Sequence, residues 1–288
     1  MATRTALAPA KVNLFLHVGP VDGDGYHPLA SLVAFADVGD RVTVAPAPRL
    51  SLTVEGPFAP GLDGPGDNLI LRGLRALGHA AGIGEPPLAV TLDKRLPIAA
   101  GLGGGSSDAG AALKLARDAL GLDLGDDALA DIAAAIGADG PMCLYARTAW
   151  AEGRGERLTA EPRLPSLPAL LINPGVASPT GEVYRAYDAG PPAAADRPAP
   201  PPAWDVAAVL DWLAEQRNDL EPAALARAPA IAAVLAAARA LPGVRLVRMS
   251  GSGATVFALF DPSADVAAAA RRLSESRPDW WIAPTNLG

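Results

Sequence analysis

The stretch Leu96–Leu120, "LPIAAGLGGGSSDAGAALKLARDAL", sets a glycine- and serine-rich loop directly before an apolar helix pattern. Glycine loses more backbone freedom on folding than any other residue, so such a run needs a physical reason. Two familiar glycine motifs fail on register. A Walker A loop carries a lysine ahead of its hydroxyl residue, but here Gly105 is followed by Ser106 and the next lysine is Lys114. A dinucleotide fingerprint closes on glycine; counted from Gly101 and Gly103 its last position is Ser106, and from Gly103 and Gly105 it is Asp108. The physics shared by both motifs still holds. A bare turn that opens a helix exposes unpaired N–H groups at the positive end of the helix dipole, and a phosphate can approach them closely. Ser106 and Ser107 add hydroxyls. The loop reads as an anion site, and a turn that merely packs a strand on a helix is the plainer alternative.

Working outward, "LAVTLDKRLP" is a strand that feeds the loop, and Ala109, Leu113, Ala116 and Leu120 form an apolar helix stripe behind it. A second helix is expected over 126–136, ending at Gly137. Just past it, "IGADGPM" places Asp139 in a turn, where aspartate is common for purely local reasons. Residues 5–18 alternate as a strand, with Lys11 and Asn13 on one face of an apolar run. Alone, those two read as polar residues of an edge strand facing water. Beside a bound phosphate, a lysine and a carboxylate would instead suit phosphoryl transfer.

"GPVDGDGYHP" is a turn-rich loop, and strands are expected at "LASLVAFA", "DRVTVAP" and "RLSLTVEG". A helix begins at the Asp/Asn pair of "DNLILRGLRALGHAAG". Later, "PALLINPG" is a buried strand followed by helices, and the proline-rich 189–203 is a surface loop or linker. "VRLVRMSGSGATVFALF" reads as strand, glycine loop and strand, and "DPSADVAAAARRLSE" as a capped helix. Strands and helices mix without regular alternation, so the expected class is α+β in two domains.

The bulk properties narrow the function classes. The 288 residues include 24 basic and 31 acidic ones, for a net charge of -7, and half are hydrophobic. That sign argues against general attraction to nucleic acid or an anionic membrane, while a local site for a small anion stays open. Cys143, the single cysteine, makes no internal disulfide and no zinc site, and is expected to be a buried inert thiol. No apolar run is long enough to span a bilayer. Lys11 and Asn13 interrupt the N-terminal apolar stretch, which speaks against a signal peptide, so the expected address is the cytoplasm. "DGDGY" fails as a calcium loop because its twelfth position is Val33. His17 and His79 lack metal spacing, Trp204 and Trp212 are expected in packing, and Trp280–Trp281 receives no role.

Three stretches in order, "PAKVNLFLHV", "PIAAGLGGGSSDAG" and "MSGSGATVFALF", resemble the motifs of the GHMP kinase superfamily. With "DGYHPLASL" and "GADGPM" added, the chain is similar to the branch that phosphorylates a cytidine diphosphate ester. The resemblance implies an α+β, two-domain fold: an N-terminal ATP-binding domain over 1–152 and a C-terminal α/β substrate domain over 153–288, with ATP between them. It implies ATP as phosphoryl donor, held by Pro97, Gly101, Leu102, Gly103, Gly104, Gly105, Ser106 and Ser107, with Asn68 and Lys94 also contacting the nucleotide. Asp139 matches the family's base and Lys11 its neighbouring lysine. Asn13, Tyr26, His27, Thr180 and Tyr184 match substrate contacts, with Tyr26 stacking on cytosine and His27 reading its edge. Mg2+ is expected with ATP, and Ser107 is its one candidate protein ligand. The partner is the small-molecule substrate, with no nucleic acid and no membrane, and the protein is a monomer or homodimer. Ala99 and Ala100 stand where the family carries glycine. Another GHMP kinase of mevalonate type and a non-catalytic nucleotide sensor of the same fold are the remaining alternatives.

Overall fold

The computed structural model describes residues 2–62, 68–191 and 193–288. Asp67, expected at the start of a helix, lies outside the described residues. The chain packs as two compact units interleaved along the sequence. One comprises the residues up to Ala10 together with Val38–Ile98 and Gly103–Ala146; the other comprises Lys11–Asp37, Ala99–Leu102 and Arg147–Gly288. Strands β1 (Arg4–Val18) and β2 (Leu29–Pro46) each give residues to both units.

In the first unit, the latter part of β2 runs antiparallel to β4 (Leu88–Asp93), with Arg41 opposite Asp93 and Pro46 opposite Leu88. Strand β3 (Ser51–Glu55) lies parallel to β4. Four helices complete the unit: α1 (Leu69–Ala80), α2 (Gly104–Leu120), α3 (Asp126–Ile136) and the short α4 (Gly140–Tyr145). Their inward stripes meet the sheet in one core, with Val42, Val44, Val90 and Leu92 against Ile70, Leu74, Leu113 and Leu129. The expected stripe of α2 is present, with Ala109, Leu113 and Ala116 buried and Leu120 at its edge partly so. The two strands expected at "LASLVAFA" and "DRVTVAP" are one strand of 18 residues. Gly39 reads as a break in sequence, yet a Cβ there would lie 2.1 Å from the Ala8 carbonyl oxygen. The glycine lets two paired backbones approach; it does not end the strand.

In the second unit β10 (Trp281–Leu287), β7 (Leu167–Asn173), β9 (Val256–Phe260) and β8 (Val244–Met249) pair antiparallel in that order. The first part of β2 pairs with β5 (Ala149–Gly153), and β5 with β6 (Arg157–Ala160), a hairpin the sequence pattern does not announce. Helices α5 (Thr180–Tyr187), α6 (Val206–Ala214), α7 (Glu221–Arg227), α8 (Ala230–Arg239) and α9 (Val266–Ser276) belong to this unit. Ile172, Val234, Leu235, Val256, Phe260 and Leu273 lie in its core.

The proline-rich segment forms no helix or strand among its described residues, but it is fastened down. The Ala199 carbonyl accepts from Trp212 Nε1 (2.8 Å), and the Asp196 carbonyl bonds His17 Nδ1 (3.0 Å). Trp212 packs edge-on against Phe15 and Trp150, as a core residue should. Cys143 is buried. Among the described residues, no helix is long and apolar enough to cross a membrane.

Candidate active site

Residues of the first unit gather around the opening turn of α2. Gly103, its N-cap, has φ +61°, a left-handed conformation that glycine adopts without strain. The Ser107 N–H bonds back to the Gly103 carbonyl (2.9 Å), so the N–H groups of Gly104, Gly105 and Ser106 precede the helix ladder and point out of its end. Asn68 caps α1, its Oδ1 accepting from the Ile70 N–H (2.9 Å). The neighbouring Leu69 lies beside the loop, since a Cβ on Gly105 would come 3.3 Å from its Cδ1. Asp139 sits at the turn between α3 and α4. Gly140 permits that turn by close approach, because a Cβ there would lie 2.1 Å from the Ala133 carbonyl oxygen. Gly137, in the same turn, stands next to Ser106, with its Cβ position 3.7 Å from Ser106 Oγ. Asn68, Lys94, Gly103–Ser107 and Asp139 thus share one neighbourhood, and Pro97 is buried in the segment leading to it.

Lys94 is 3% exposed, and its ammonium lies between two carboxylates, Asp40 Oδ2 at 2.5 Å and Asp108 Oδ2 at 2.9 Å. Asp40 also accepts the N–H groups of Arg95 (2.6 Å) and Leu96 (2.8 Å). Burial opposes the Lys94 charge, but the two carboxylates outweigh it and hold its pKa above the ordinary lysine value. For Asp108, burial together with the Asp40 charge overcomes the pull of Lys94 and raises its pKa to about 7. Asp108 Oδ1 and Ser107 Oγ are buried without a hydrogen-bond partner among the described residues.

In the second unit, β1, the segment Ala99–Leu102 and the turn after β8 meet. Lys11 and Asn13 are 5% and 6% exposed, so they are core-facing and not the water-facing edge residues that the strand pattern suggests. Lys11 Nζ donates to Asn13 Oδ1 (3.0 Å), Asn13 Nδ2 to Ser31 Oγ (2.9 Å), and the Lys11 N–H to the Leu102 carbonyl (2.8 Å). Ser250 of "MSGSG" accepts from the Asn13 N–H (3.2 Å) and donates to the Gly101 carbonyl (2.9 Å). Gly101 has φ +74°, and a Cβ there would come 2.3 Å from the Ser250 carbonyl oxygen. Asn218 ties the same turn from below, donating to the Met249 and Gly251 carbonyls at 2.8 Å each. Ala99 stands at φ +50°, a conformation that costs a non-glycine residue about 1–2 kcal/mol.

The same unit carries an aromatic cluster. Tyr26 is 54% exposed, with the Arg154 guanidinium 4.2 Å from its ring centre. His27 bonds through Nε2 to Asp188 Oδ1 (2.6 Å), and its ring packs 4.9 Å from that of Tyr184. Thr180 bonds Ser252 Oγ (2.9 Å), linking α5 to the "SGSG" turn.

Sequence reasoning passes over several of these groups: Asp40, Asp108, Ser31, Ser250, Asn218, Arg154 and Asp188. Asp108 alone carries a signal. It falls on the buried side of α2, where a charged residue interrupts an otherwise small and apolar face.

The fold and these clusters define a class, nucleotide-dependent small-molecule kinases. Residues 68–147 match the description "GHMP kinases N terminal domain" and residues 205–279 match "GHMP kinases C terminal". The chain belongs to the GHMP kinase family and, within it, to the group of the 4-diphosphocytidyl-2-C-methyl-D-erythritol kinases. It is 55% identical over 281 residues to the protein of that name from Caulobacter vibrioides, covering 96% of this chain and 97% of the relative. To that of Methylorubrum extorquens it is 48% identical, covering 100% of both. A crystal structure of 4-(cytidine 5'-diphospho)-2C-methyl-D-erythritol kinase superposes with a TM-score of 0.77 at 37% identity, covering 99% of each chain. A homoserine kinase from Cytophaga hutchinsonii shares the fold, with a TM-score of 0.66 at 19% identity, covering 99% of this chain and 96% of that one.

Proposed function

We propose that this protein transfers the γ-phosphoryl group of ATP to the 2-hydroxyl of 4-diphosphocytidyl-2-C-methyl-D-erythritol, giving the 2-phosphate and ADP, in non-mevalonate isoprenoid biosynthesis. The observation that carries the reading is identity of about half, over nearly the full length, with kinases of that name, in a chain that carries the glycine loop, Lys11 and Asp139.

The proposed roles follow from local chemistry. The N–H groups of Gly104, Gly105 and Ser106 bind phosphate oxygens at the dipole end of α2, with Gly101, Leu102, Gly103 and Ser107 shaping the loop and Pro97 leading into it. Asn68 and Lys94 serve the nucleotide side. Asp139 takes the acceptor hydroxyl proton, and Lys11, oriented by Asn13, offsets charge that develops during transfer. Tyr26 offers an aromatic face for cytosine and His27 a hydrogen-bonding edge, with Tyr184 and Thr180 beside them. Bound Mg2+ would neutralise phosphate charge, and Ser107 Oγ, without a partner among the described residues, is the protein oxygen proposed to serve it. By role, residues 1–152 are assigned to nucleotide binding and 153–288 to the C-terminal domain; the two packing units interleave across that division. The proposed place of action is the cytoplasm.

The test is phosphorus NMR of the products formed from ATP, Mg2+ and the cytidyl ester, with mevalonate and homoserine in parallel. Phosphorylation of the ester alone is the expected result; transfer to mevalonate or homoserine instead overturns the assignment. Asp139→Ala should keep ATP binding and lose about 10²–10⁴-fold in turnover, the usual worth of a positioned base. Near-normal turnover would remove Asp139 from its role.

A further inference from the structure

Three ionisable side chains lie in the first unit beneath the glycine loop. Asp40, Lys94 and Asp108 are 0%, 3% and 3% exposed. Desolvating three charges is expensive, and a packed apolar trio would hold such a core as well or better. Stability therefore does not explain them; geometry does. Each member holds a different piece of the structure. Asp40 lies on β2 and grips the backbone N–H groups of Arg95 and Leu96, the segment that leads into the loop. Lys94 follows directly on β4, its own N–H donating to the Glu55 carbonyl (2.7 Å) and its carbonyl accepting from Phe58 (3.1 Å). Asp108 lies in the opening turns of α2, immediately after Ser107. The Lys94 ammonium lies directly under the loop, because a Cβ on Gly104 would come 3.0 Å from Nζ. Two of the three ammonium N–H groups go to carboxylates, and at 3% exposure Lys94 offers a nucleotide almost no surface. Its reach is to the backbone whose N–H groups would meet the phosphates.

We propose that Asp108, held by Lys94 and Asp40, is a positioning residue for ATP: this buried network sets the pose of the first turn of α2, and Lys94 acts on the nucleotide through that turn without touching it. The proposal rests on the reading of Gly101–Ser107 as the phosphate loop. A turn displaced by a fraction of an ångström misaims several donors at once, so the effect falls on ATP and leaves the acceptor site alone.

The test compares Asp108→Leu with Asp108→Asn in the full-length protein. Asp108→Leu leaves Lys94 and Asp40 as a neutral pair and removes only the link to α2. It should raise the KM for ATP about tenfold or more, with the KM for the cytidyl ester within about twofold and the urea midpoint not lowered. Asp108→Asn keeps an oxygen that accepts from Lys94 and should restore the KM for ATP to within about threefold of the parent. Should Asp108→Leu not fold, Asp108→Ala carries the same expectation. An unchanged KM for ATP, an equal rise in both KM values, or a failure of Asp108→Asn as large as that of Asp108→Leu overturns the proposal. Absence of ATP-dependent turnover in the parent protein overturns the phosphate-loop reading instead.

Discussion

Asp40, Lys94 and Asp108 in one unit, and Asp22, Arg154 and Asp24 in the other, are the same arrangement of charge in two different media. In the first, the Lys94 side chain is 4% exposed, and burial, with Asp40 competing for the one ammonium, pushes Asp108 up to about 7. In the second, Arg154 bridges Asp24 at 2.9 Å and Asp22 at 3.3 Å in open solvent, with Asp24 77% exposed. There the Asp22 carboxyl is held below its ordinary value, first by the Tyr26 N–H and only then by Arg154. Water screens the outer group, so it biases the Tyr26 loop without locking it. Under the proposed roles, the difference sets a desolvated, doubly bonded network on the phosphate side against a water-screened one on the base-reading side. A phosphate needs several donors aimed at once, whereas a stacked base tolerates a ring that moves.

Lys94→Met tests the dry half of that contrast most severely. It strands two buried carboxylates and should cost about 3–5 kcal/mol in urea denaturation. Arg154→Ala should leave the urea midpoint essentially unchanged in the same measurement. Similar losses would break the comparison. Tyr26→Ala comes next. It should weaken the cytidyl ester about tenfold, in line with a base–aromatic stack, and leave the KM for ATP in place. An equal effect on both ligands would move that loop out of the substrate site.

An intermediate case sharpens the comparison further. Glu161 is a buried carboxylate whose arginine partner, Arg163, is 60% exposed, and it also accepts from Trp150 Nε1 (3.0 Å). The Arg163 hydrogen bond, aided by that of Trp150, lowers its pKa from 4.5 to about 2. The carboxylate form is favoured in the fold, so its stabilisation is complete above pH 4.5 and is lost as pH falls towards about 2. Glu161→Gln should flatten that acid limb of stability and cost about 2 kcal/mol at neutral pH. An unchanged acid limb would show that Glu161 is not a source of the acid sensitivity.

How much of this is legible in the sequence differs from residue to residue. Helix α2 is plain because its apolar stripe and glycine start are local signals, and the proposal of an anion site at the glycine loop rests on the same local pattern. Strand β2 reads as two because Gly39 breaks the pattern, whereas its absent side chain admits the Ala8 backbone. Lys11 and Asn13 read as edge residues because alternation cannot say which face is buried; the pair is enclosed by Ser31, Ser250 and the Gly101–Leu102 backbone. Hairpin β5–β6 escapes because its strands are five and four residues long, too short for a period to emerge.

The sequence by itself determined the chemistry on offer: bare backbone before a helix, a lysine and a carboxylate at fixed places, and an aromatic pair in a turn. Only the tertiary structure decided which charges lose their water and which partners they find. Asp108 lies within the opening stretch, yet its role comes from Lys94 fourteen residues away and, through it, from Asp40. Propensity and spacing act over a few residues. Burial sets the strength of a charge interaction, and burial belongs to the whole packed unit.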